Sequence, residues 1–301
     1  MRVLVIGGSG YIGGSVALRL AAMGHDVTVA SRRPPAAASA MSGLPFLSGD
    51  YVAGDFDQGT LARFDAVVHA AGNDIRQRPQ GEDEETHLAR ANVRGIPDFF
   101  RAVRDAGVGR GVYVGSFYPQ VVPHRIALSP YIRSRLAADE GVRALATSDF
   151  SVCSVNPPYI VGHLEGVSSG WLLAHAAYAL GDMPAAPIFA IPGGVNYMSL
   201  AAVTDAIIGA LEHGEAGRAY LVGDENLSFH DYFGMFRRAA GLPANLPIRN
   251  EEHPVLPDWA LYAGRGGEAY FEPDARDAAR LGYRRGDVGE AIAEVVRAYR
   301  Q

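Results

Sequence analysis

The fold is decided near the amino end, by the stretch Arg2-Val3-Leu4-Val5-Ile6-Gly7-Gly8-Ser9-Gly10-Tyr11-Ile12-Gly13. An apolar run long enough for one strand passes directly into three glycines, Gly7, Gly10 and Gly13, that lie three residues apart. This spacing allows a tight turn, a close backbone approach to a pyrophosphate and close packing of the next helix on the strand. The phosphates would then meet free N–H groups at the start of that helix. The stretch predicts a dinucleotide site that includes Gly7, Gly10, Tyr11, Ile12 and Gly13; a tight turn without a ligand is the structural alternative.

Beyond this turn, short β-branched runs alternate with helical patterns, which is typical of crossover units and a parallel sheet. The predicted strands are Arg2–Ile6, Asp26–Ala30, Tyr51–Ala53, Ala66–His69, Gly111–Val114 and Phe150–Val155. Helices are predicted after the first strand, over 84–106 with a kink at Gly95 and Pro97, and over 131–146. The fold class is therefore α/β, with a doubly wound parallel sheet of the Rossmann type.

The pattern changes after Asn156-Pro157-Pro158, where longer loops separate scattered helices and a few short strands. Helices are predicted over 171–180, 200–211, 229–240 and 289–299, and a strand over 219–222. We expect a dinucleotide-binding domain over residues 1–155 and a smaller α/β substrate-binding part over residues 156–301. The second part is expected to interleave with the first and to share one cleft with it.

Composition excludes several classes of protein. A chain of 301 residues that is 48% apolar can bury a large core, and no apolar run approaches the roughly 18 residues of a spanning helix. The start lacks the pattern of a signal peptide, so we predict a cytoplasmic protein that does not bind membranes. The net charge of −6 and the lack of a basic tract argue against nucleic acid as a partner. The single cysteine, Cys153, cannot form an intrachain disulfide, and no metal is expected because no His/Cys/Asp cluster has ligand spacing.

The end of the second predicted strand indicates which dinucleotide is bound. An NAD-preferring site is expected to carry an acidic residue there, but this chain reads Ala30-Ser31-Arg32-Arg33. Either arginine could bind a 2′-phosphate, and Ser31 adds a hydroxyl donor. We therefore predict NADP as the cofactor, with NAD as the alternative. The structural interpretation is that the arginine charge is only solvated on a loop. Asp55 could accept from the adenine amino group or could cap the next turn.

Five further segments complete the pattern. They are His69-Ala70-Ala71-Gly72, Asn92-Val93-Arg94-Gly95, Val112 to Ser116, Pro130-Tyr131-Ile132-Arg133-Ser134-Arg135 and Asn156-Pro157-Pro158-Tyr159-Ile160-Val161-Gly162. With these segments and the glycine turn, the chain resembles the extended short-chain dehydrogenase/reductases, and within them the NAD-dependent epimerase/dehydratase-like group. That group contains sugar-nucleotide epimerases and dehydratases, dihydroflavonol-type reductases and hydroxysteroid dehydrogenases. The resemblance implies a cofactor site that also includes Ala70, Ala71, Gly72, Tyr131, Arg135 and Pro157.

The resemblance also implies a Ser/Tyr/Lys apparatus. In it the Tyr is the general acid/base for a carbonyl or hydroxyl, the Ser holds the same oxygen, and the Lys binds the nicotinamide ribose. Ser116 and Tyr131 match two of these positions, but Arg135 stands at the third, in a chain without any lysine. Tyr131 and Arg135 lie four apart on one helix face, so the guanidinium can still favour a phenolate, although it cannot lend a proton. Catalytic activity could therefore be retained, redirected or lost.

The second half of the chain suggests the substrate. Neither Arg nor Lys occurs between Arg143 and Arg218, and Asn196 stands where sugar-nucleotide members of the family commonly have an arginine. A diphosphate normally needs a fixed cation or aligned donors, although Arg237, Arg238 or Arg249 could reach the pocket from later in the chain. The pocket candidates are Pro158, Tyr159, Trp171, Leu172, His175, Tyr178, Phe189 and Met198, a mostly apolar set that suits an uncharged ring system.

These features predict an NADP(H)-dependent oxidoreductase with Tyr131 as its acid/base. It would be a carbonyl reductase or alcohol dehydrogenase for a small, largely uncharged metabolite of polyketide-like or polycyclic type. One alternative is a sugar-nucleotide epimerase or dehydratase that uses transient hydride transfer. Another is a non-catalytic NADP(H)-binding sensor, which Arg135 would favour. A homodimer would fit the resemblance.

Overall fold

A computed structural model of the chain describes residues 1–167 and 169–301. The strands are β1 Arg2–Ile6, β2 Asp26–Ser31, β3 Phe46–Ser48, β4 Ala66–His69, β5 Arg110–Val114, β6 Ser151–Asn156, β7 Tyr159–Val161, β8 Gly194–Ser199, β9 Ala219–Leu221, β10 Glu225–Ser228 and β11 Glu268–Ala269. The α-helices are α1 Tyr11–Ala22, α2 Gln58–Leu61, α3 Glu84–Leu88, α4 Ile96–Asp105, α5 Tyr118–Val121, α6 Pro130–Arg143, α7 Gly170–Leu180, α8 Leu200–His213, α9 Phe229–Ala239, α10 Ala275–Leu281 and α11 Val288–Arg300. Short 3-10 turns cover Ala40–Gly43, Ile75–Gln77, Pro123–Arg125 and Asp258–Ala260, and a π-helical turn, Ala89–Gly95, joins α3 to α4. No described helix combines the length and the apolar character that a membrane span requires.

Seven parallel strands form the main sheet, in the order β3-β2-β1-β4-β5-β6-β9. The strand residues Val3, Leu4 and Val5 are fully buried because helices cover both faces of the sheet. Strand β1 has β2 on one side and β4 on the other, so the order of the strands reverses between β1 and β4. In such sheets a crevice opens at the carboxyl ends of the strands where the order reverses, and ligands bind there.

A second, smaller sheet is built around β8. The antiparallel strand β10 pairs with one edge of β8, and β7 and β11 run parallel to the two ends of its other edge. Asn196 on β8 is fully buried, and its side chain donates to Asn226 Oδ1 at 2.8 Å and accepts from the Asp224 amide at 2.9 Å. Asn196 therefore connects β8 with β10.

The two halves of the chain share one core. Helix α8, from the second half, packs against α1, where the Ser15 and Thr204 hydroxyls lie 2.7 Å apart. Strand β9, also from the second half, completes the main sheet next to β6. The division at residue 155 stays a prediction, and any boundary there would cross these contacts.

The prediction of the third strand is wrong. We expected it at Tyr51–Ala53, but the structure has β3 at Phe46–Ser48 and a turn over 50–54. Gly54 has a φ of +77°, and the Ala53 amide donates to the Asp50 carbonyl at 3.2 Å, so this segment closes on itself. The other five early strands are confirmed to within a residue at each end. Where a kink was expected in the helix over 84–106, the structure has a π-helical turn that ends at Gly95.

Candidate active site

The glycine turn lies where the strand order of the main sheet reverses. Gly7 has a φ of +79°, and a Cβ added to it would lie 3.0 Å from the Ala70 carbonyl carbon after β4. A Cβ on Gly13 would overlap the Gly7 carbonyl oxygen, so α1 can pack this closely only with glycine there. Gly10, the N-cap of α1, has no side chain to cap the helix, so the first amides of α1 remain available. This narrow cradle fits the pyrophosphate of a dinucleotide.

A cleft of about 700 Å³ extends from this turn. Ten residues of the predicted cofactor set line it: Gly7, Gly10, Tyr11, Ile12, Gly13, Ala70, Gly72, Tyr131, Arg135 and Pro157. Ala71, also predicted, instead packs against the core on one side of the sheet. The residues that the sequence predicts for the cofactor, after β1, after β4 and on α6, thus line one cleft.

The residues predicted to choose between NAD and NADP lie outside the cleft lining. Ser31 accepts from the Ser9 hydroxyl at 2.8 Å and donates to the Arg33 carbonyl at 2.6 Å. Arg32 and Arg33 are exposed directly after β2. Asp55 is also exposed, and its carboxylate accepts from the Asp50 amide at 2.8 Å, within the turn that precedes it. Because β3 ends at Ser48, Asp50 rather than Asp55 is the acidic residue that follows the third strand.

The predicted reactive pair opens into the same cleft. Ser116 follows β5 and is buried, and Tyr131 lies on the first turn of α6. The N-cap residue Ser129 fixes that turn, because its hydroxyl accepts from the Ile132 amide at 3.3 Å. The Tyr131 ring stacks on the Tyr262 ring, with centroids 4.4 Å apart and planes 20° apart.

Arg135 is 4% exposed and turns inward from α6. Its Nη2 atom donates to the carbonyls of Val114 at 2.9 Å and Gly115 at 2.7 Å, directly before Ser116. Its guanidinium carbon lies 5.3 Å from the centre of the Tyr113 ring. The Nη1 atom of Arg135 lies 3.0 Å from the place that a Cβ on Gly72 would occupy. Within the described residues no carboxylate pairs with the Arg135 guanidinium. The guanidinium therefore clamps the turn that carries Ser116.

His69 lies beneath the cleft rather than in its wall. The side chain is fully buried against the rings of Tyr51, at 4.6 Å, and Phe99, at 5.5 Å. Burial, and secondarily the charge of Arg135, lower the pKa of His69 to about 3. The ring is therefore neutral and acts as a core side chain, not as a base.

The predicted pocket residues divide into two groups. Pro158, Tyr159, Trp171 and His175 line the cleft. Leu172, Tyr178, Phe189 and Met198 do not: each is almost fully buried in a hydrophobic core. The carbonyl of Val255 can only accept, so His175 Nε2 donates to it at 3.0 Å and Nδ1 accepts from the Tyr232 hydroxyl at 2.9 Å. Burial lowers the pKa of His175 to about 4, which keeps the ring neutral.

Two lining segments were missed by sequence reasoning. The loop after β4 contributes Asn73, Asp74, Arg76 and Gln77, and the segment Val255–Tyr262 contributes a second wall. The first could have been found, because polar residues at the carboxyl end of a parallel strand are candidates for a site. The second has no local signal, since it lies more than a hundred residues from Tyr131 along the chain.

The cations of the cleft also differ from expectation. Among the residues that the structure describes, Arg76 and Arg135 are the two arginines that line it. Arg76 forms an ion pair with Asp74 at 2.6 Å. Arg237 instead donates to the Pro243 carbonyl at 2.6 Å, and Arg249 pairs with Glu251 at 3.2 Å, outside the lining.

Comparison with known proteins agrees with this architecture. The family model of the NAD dependent epimerase/dehydratase family matches residues 3–223. The "Epimerase family protein ML0860" of Mycobacterium leprae is 25% identical over 316 residues, 97% of this chain and 94% of its own. A UDP-glucose 4-epimerase of Streptomyces lividans is 28% identical over 188 residues, 58% of this chain and 55% of its own.

Solved structures share the fold. The UDP-glucose-4-epimerase from Stenotrophomonas maltophila, solved with bound NAD and formylated UDP-arabinopyranose, superimposes with a TM-score of 0.75 at 20% identity. The match covers 100% of this chain and 98% of the other. The family model spans well over half of the chain, so the protein belongs to the NAD-dependent epimerase/dehydratase family of the extended short-chain dehydrogenase/reductases.

Proposed function

We propose that the protein is a dinucleotide-dependent enzyme that oxidises and reduces a carbinol carbon of its substrate, with Tyr131 as general acid/base. The observation that carries this proposal is the common cleft: Ser116, Tyr131 and Arg135 open into the same space as the glycine turn. A phenol, a hydroxyl and a fixed cation beside a dinucleotide site are the groups that such chemistry needs.

Each residue has a defined task in this proposal. The bound nicotinamide supplies hydride transfer. Tyr131 exchanges a proton with the substrate oxygen through its phenolic Oη, and the Ser116 hydroxyl donates a hydrogen bond to the same oxygen. Arg135 contributes a permanent positive charge and holds the backbone before Ser116 through the Val114 and Gly115 carbonyls. The Tyr118 hydroxyl donates to the Tyr159 hydroxyl at 3.1 Å, and the Tyr159 hydroxyl donates to the Ala260 carbonyl at 2.9 Å, so both donors of this wall already have partners.

A sugar nucleotide is the first candidate substrate. The family is named for epimerases and dehydratases, and a UDP-glucose 4-epimerase is among the relatives that match the chain. This ranking reverses the preference for a carbonyl reductase that the sequence alone suggested. Arg76 supports it, because it adds to the cleft a cation that could approach a diphosphate.

A carbonyl reductase or alcohol dehydrogenase for an uncharged substrate is the second candidate. The specific observation is that both arginines of the cleft lining already have partners: Arg76 pairs with Asp74, and Arg135 donates to two backbone carbonyls. Tyr118, Tyr159 and Trp171 form the wall beyond them. Such a wall binds an apolar ring more readily than a diphosphate.

For the cofactor, NAD is now the first candidate, since a structural neighbour was solved with bound NAD. The predicted preference for NADP rests only on Arg32 and Arg33, which are exposed after β2, and on the lack of an acidic residue at that strand end. Both dinucleotides therefore belong in the test.

The test uses purified protein with NAD or NADP. Epimerisation or dehydration of UDP- and dTDP-sugars is followed by proton NMR, and oxidation of NADH or NADPH with a panel of ketones is followed by nicotinamide absorbance. Tyr131→Phe should abolish turnover in whichever assay is positive, and Tyr299→Phe, outside the cleft, should not. Turnover that survives Tyr131→Phe would refute the proposed role of that phenol. Tight dinucleotide binding without turnover of any substrate would favour the non-catalytic sensor.

A further inference from the structure

One segment from the carboxyl-terminal third closes the substrate side of the cleft. We call residues Val255–Tyr262 the cleft strap. Three side chains from separate parts of the fold hold its backbone: His175 Nε2 donates to the Val255 carbonyl at 3.0 Å, the Tyr159 hydroxyl donates to the Ala260 carbonyl at 2.9 Å, and Arg125 Nε donates to the Tyr262 carbonyl at 3.0 Å. A loop that is tied at both ends and near its middle has a defined position, so its side chains are placed with some precision.

The last residue of the cleft strap lies against the proposed acid/base. The Tyr262 ring is parallel to the Tyr131 ring, 4.4 Å away, and meets the Tyr118 ring edge-on at 5.2 Å. Tyr262 is therefore wedged between a buried aromatic side chain and one face of Tyr131. Rotation of either ring about its χ2 angle would break this face-to-face contact.

The stack on Tyr262 is the ring–ring contact that the described residues give Tyr131. Its side chain is only partly buried, and the described residues offer its hydroxyl no hydrogen-bond partner. Without the stack, a tyrosine on the first turn of a helix would sample several rotamers. General acid/base catalysis requires the hydroxyl to lie within hydrogen-bond reach of the substrate oxygen, and a misplacement of about 1 Å can lower a rate by roughly 100-fold.

We propose that Tyr262 is a positioning residue for Tyr131. Its ring, anchored through the cleft strap, fixes the direction in which the Tyr131 hydroxyl points into the cleft. The inference rests on the proposed function for its catalytic consequence, but the orientation itself is independent of any substrate. The ring of Tyr262 carries this role and its hydroxyl does not, because the stack uses the face of the ring.

The first test measures orientation without turnover. The full-length protein is labelled with 3-fluorotyrosine at position 131 alone, and the ¹⁹F NMR signal is recorded in the wild-type background and in Tyr262→Phe and Tyr262→Leu. We expect Phe to keep the wild-type chemical shift, and Leu to move it and broaden or split it, because the ring current is lost and several rotamers are populated. Identical spectra for all three proteins would overturn the proposal.

The second test is kinetic. With a substrate identified as above, Tyr262→Leu should lower kcat by roughly 10- to 100-fold, with little change in the dissociation constant of the dinucleotide, and Tyr262→Phe should restore kcat to near the wild-type value. Tyr299→Leu, at a half-buried tyrosine outside the cleft, controls for the loss of any aromatic ring, and thermal unfolding of each variant checks that the fold is intact. Equal losses for Phe and Leu would overturn the proposal.

The two failures can be told apart. If the wild-type protein turns over no substrate, the proposed function fails, and the positioning role is decided by the ¹⁹F spectra. If the wild-type protein is active but Tyr262→Leu keeps full kcat, the proposed function stands and the positioning role falls.

Discussion

Arg135 is the residue whose role changes most between sequence and structure. Its guanidinium spans from two carbonyls before Ser116 to the backbone at Gly72 and lies beside the ring of Tyr113. An ammonium group is a compact point charge and cannot fill the same planar space. Arginine at this position is thus built into the site, and a return to lysine should not improve it.

We therefore expect Arg135→Lys to destabilise the protein. Loss of a buried hydrogen bond that leaves a carbonyl unpaired costs about 1–3 kcal/mol, and kcat should fall because the turn before Ser116 loosens. Urea unfolding and steady-state kinetics measure the two effects. Arg101→Lys, at an exposed ion pair with Asp98, is the matched control and should change little. A lysine variant that is faster than the wild type would show instead that the arginine is a product of drift.

Cofactor choice is a second question for single residues. If Arg32 and Arg33 bind a 2′-phosphate, the double change to alanine should weaken NADP binding by at least roughly 10- to 100-fold, the size of one charged hydrogen bond, and leave NAD binding nearly unchanged. Isothermal titration with both dinucleotides checks this, and Arg94→Ala, exposed on the π-helical turn, is the control. An equal change in the affinity for NAD and for NADP would mean that the two arginines do not bind the 2′-phosphate and are only solvated surface charges.

Packing between elements is close where α8 meets the end of α10. Gly209 sits inside α8, and a Cβ there would overlap the Leu281 carbonyl at the end of α10. Gly289 is the second residue of α11, and among the described residues no atom outside its own helix backbone and chain neighbours lies within 4 Å of a Cβ added there. The two glycines therefore offer a matched pair of Gly→Ala changes inside helices, one crowded and one open.

For this pair we expect opposite signs. Gly209→Ala should lower the free energy of unfolding by about 1–3 kcal/mol, because overpacking against backbone outweighs the gain in helix propensity. Gly289→Ala should raise it by up to about 1 kcal/mol, since alanine is the better helix former and meets nothing. Urea unfolding decides the signs. A Gly209→Ala variant as stable as the wild type would mean that α8 and α10 can move apart at little cost.

At the scale of the whole molecule, local patterns predicted most of the fold. The glycine turn, five of the six early strands and the helix that carries Tyr131 and Arg135 follow from apolar periodicity and from Gly and Pro positions. The strand placed at Tyr51–Ala53 failed because a β-branched, aromatic run can also form a turn when glycines flank it. The cleft strap could not be predicted, because only the packed tertiary structure brings Tyr262 to Tyr131.

The same packing makes stability depend on pH. Burial, as the first cause in each case, lowers the pKa of His69 to about 3 and the pKa values of His175 and His253 to about 4, from 6.5. Above pH 6.5 these rings are neutral in both the folded and the unfolded chain, so they do not affect stability. Between pH 6.5 and about 4 the unfolded chain binds protons that the folded chain refuses, and the free energy of unfolding falls by about 1.4 kcal/mol per pH unit for each histidine.

We expect the urea midpoint to fall steadily as pH is lowered from 6.5, and His175→Gln to make the fall shallower by about 1.4 kcal/mol per pH unit. Glutamine can still donate to the Val255 carbonyl and accept from Tyr232, so the change removes the titration and keeps both contacts. His124→Gln, at an exposed position, is the control for the substitution itself. If both variants show the wild-type dependence of the urea midpoint on pH, His175 takes up its proton in the folded protein as readily as in the unfolded chain. The wall that His175 supports beneath the cleft strap would then be open to water.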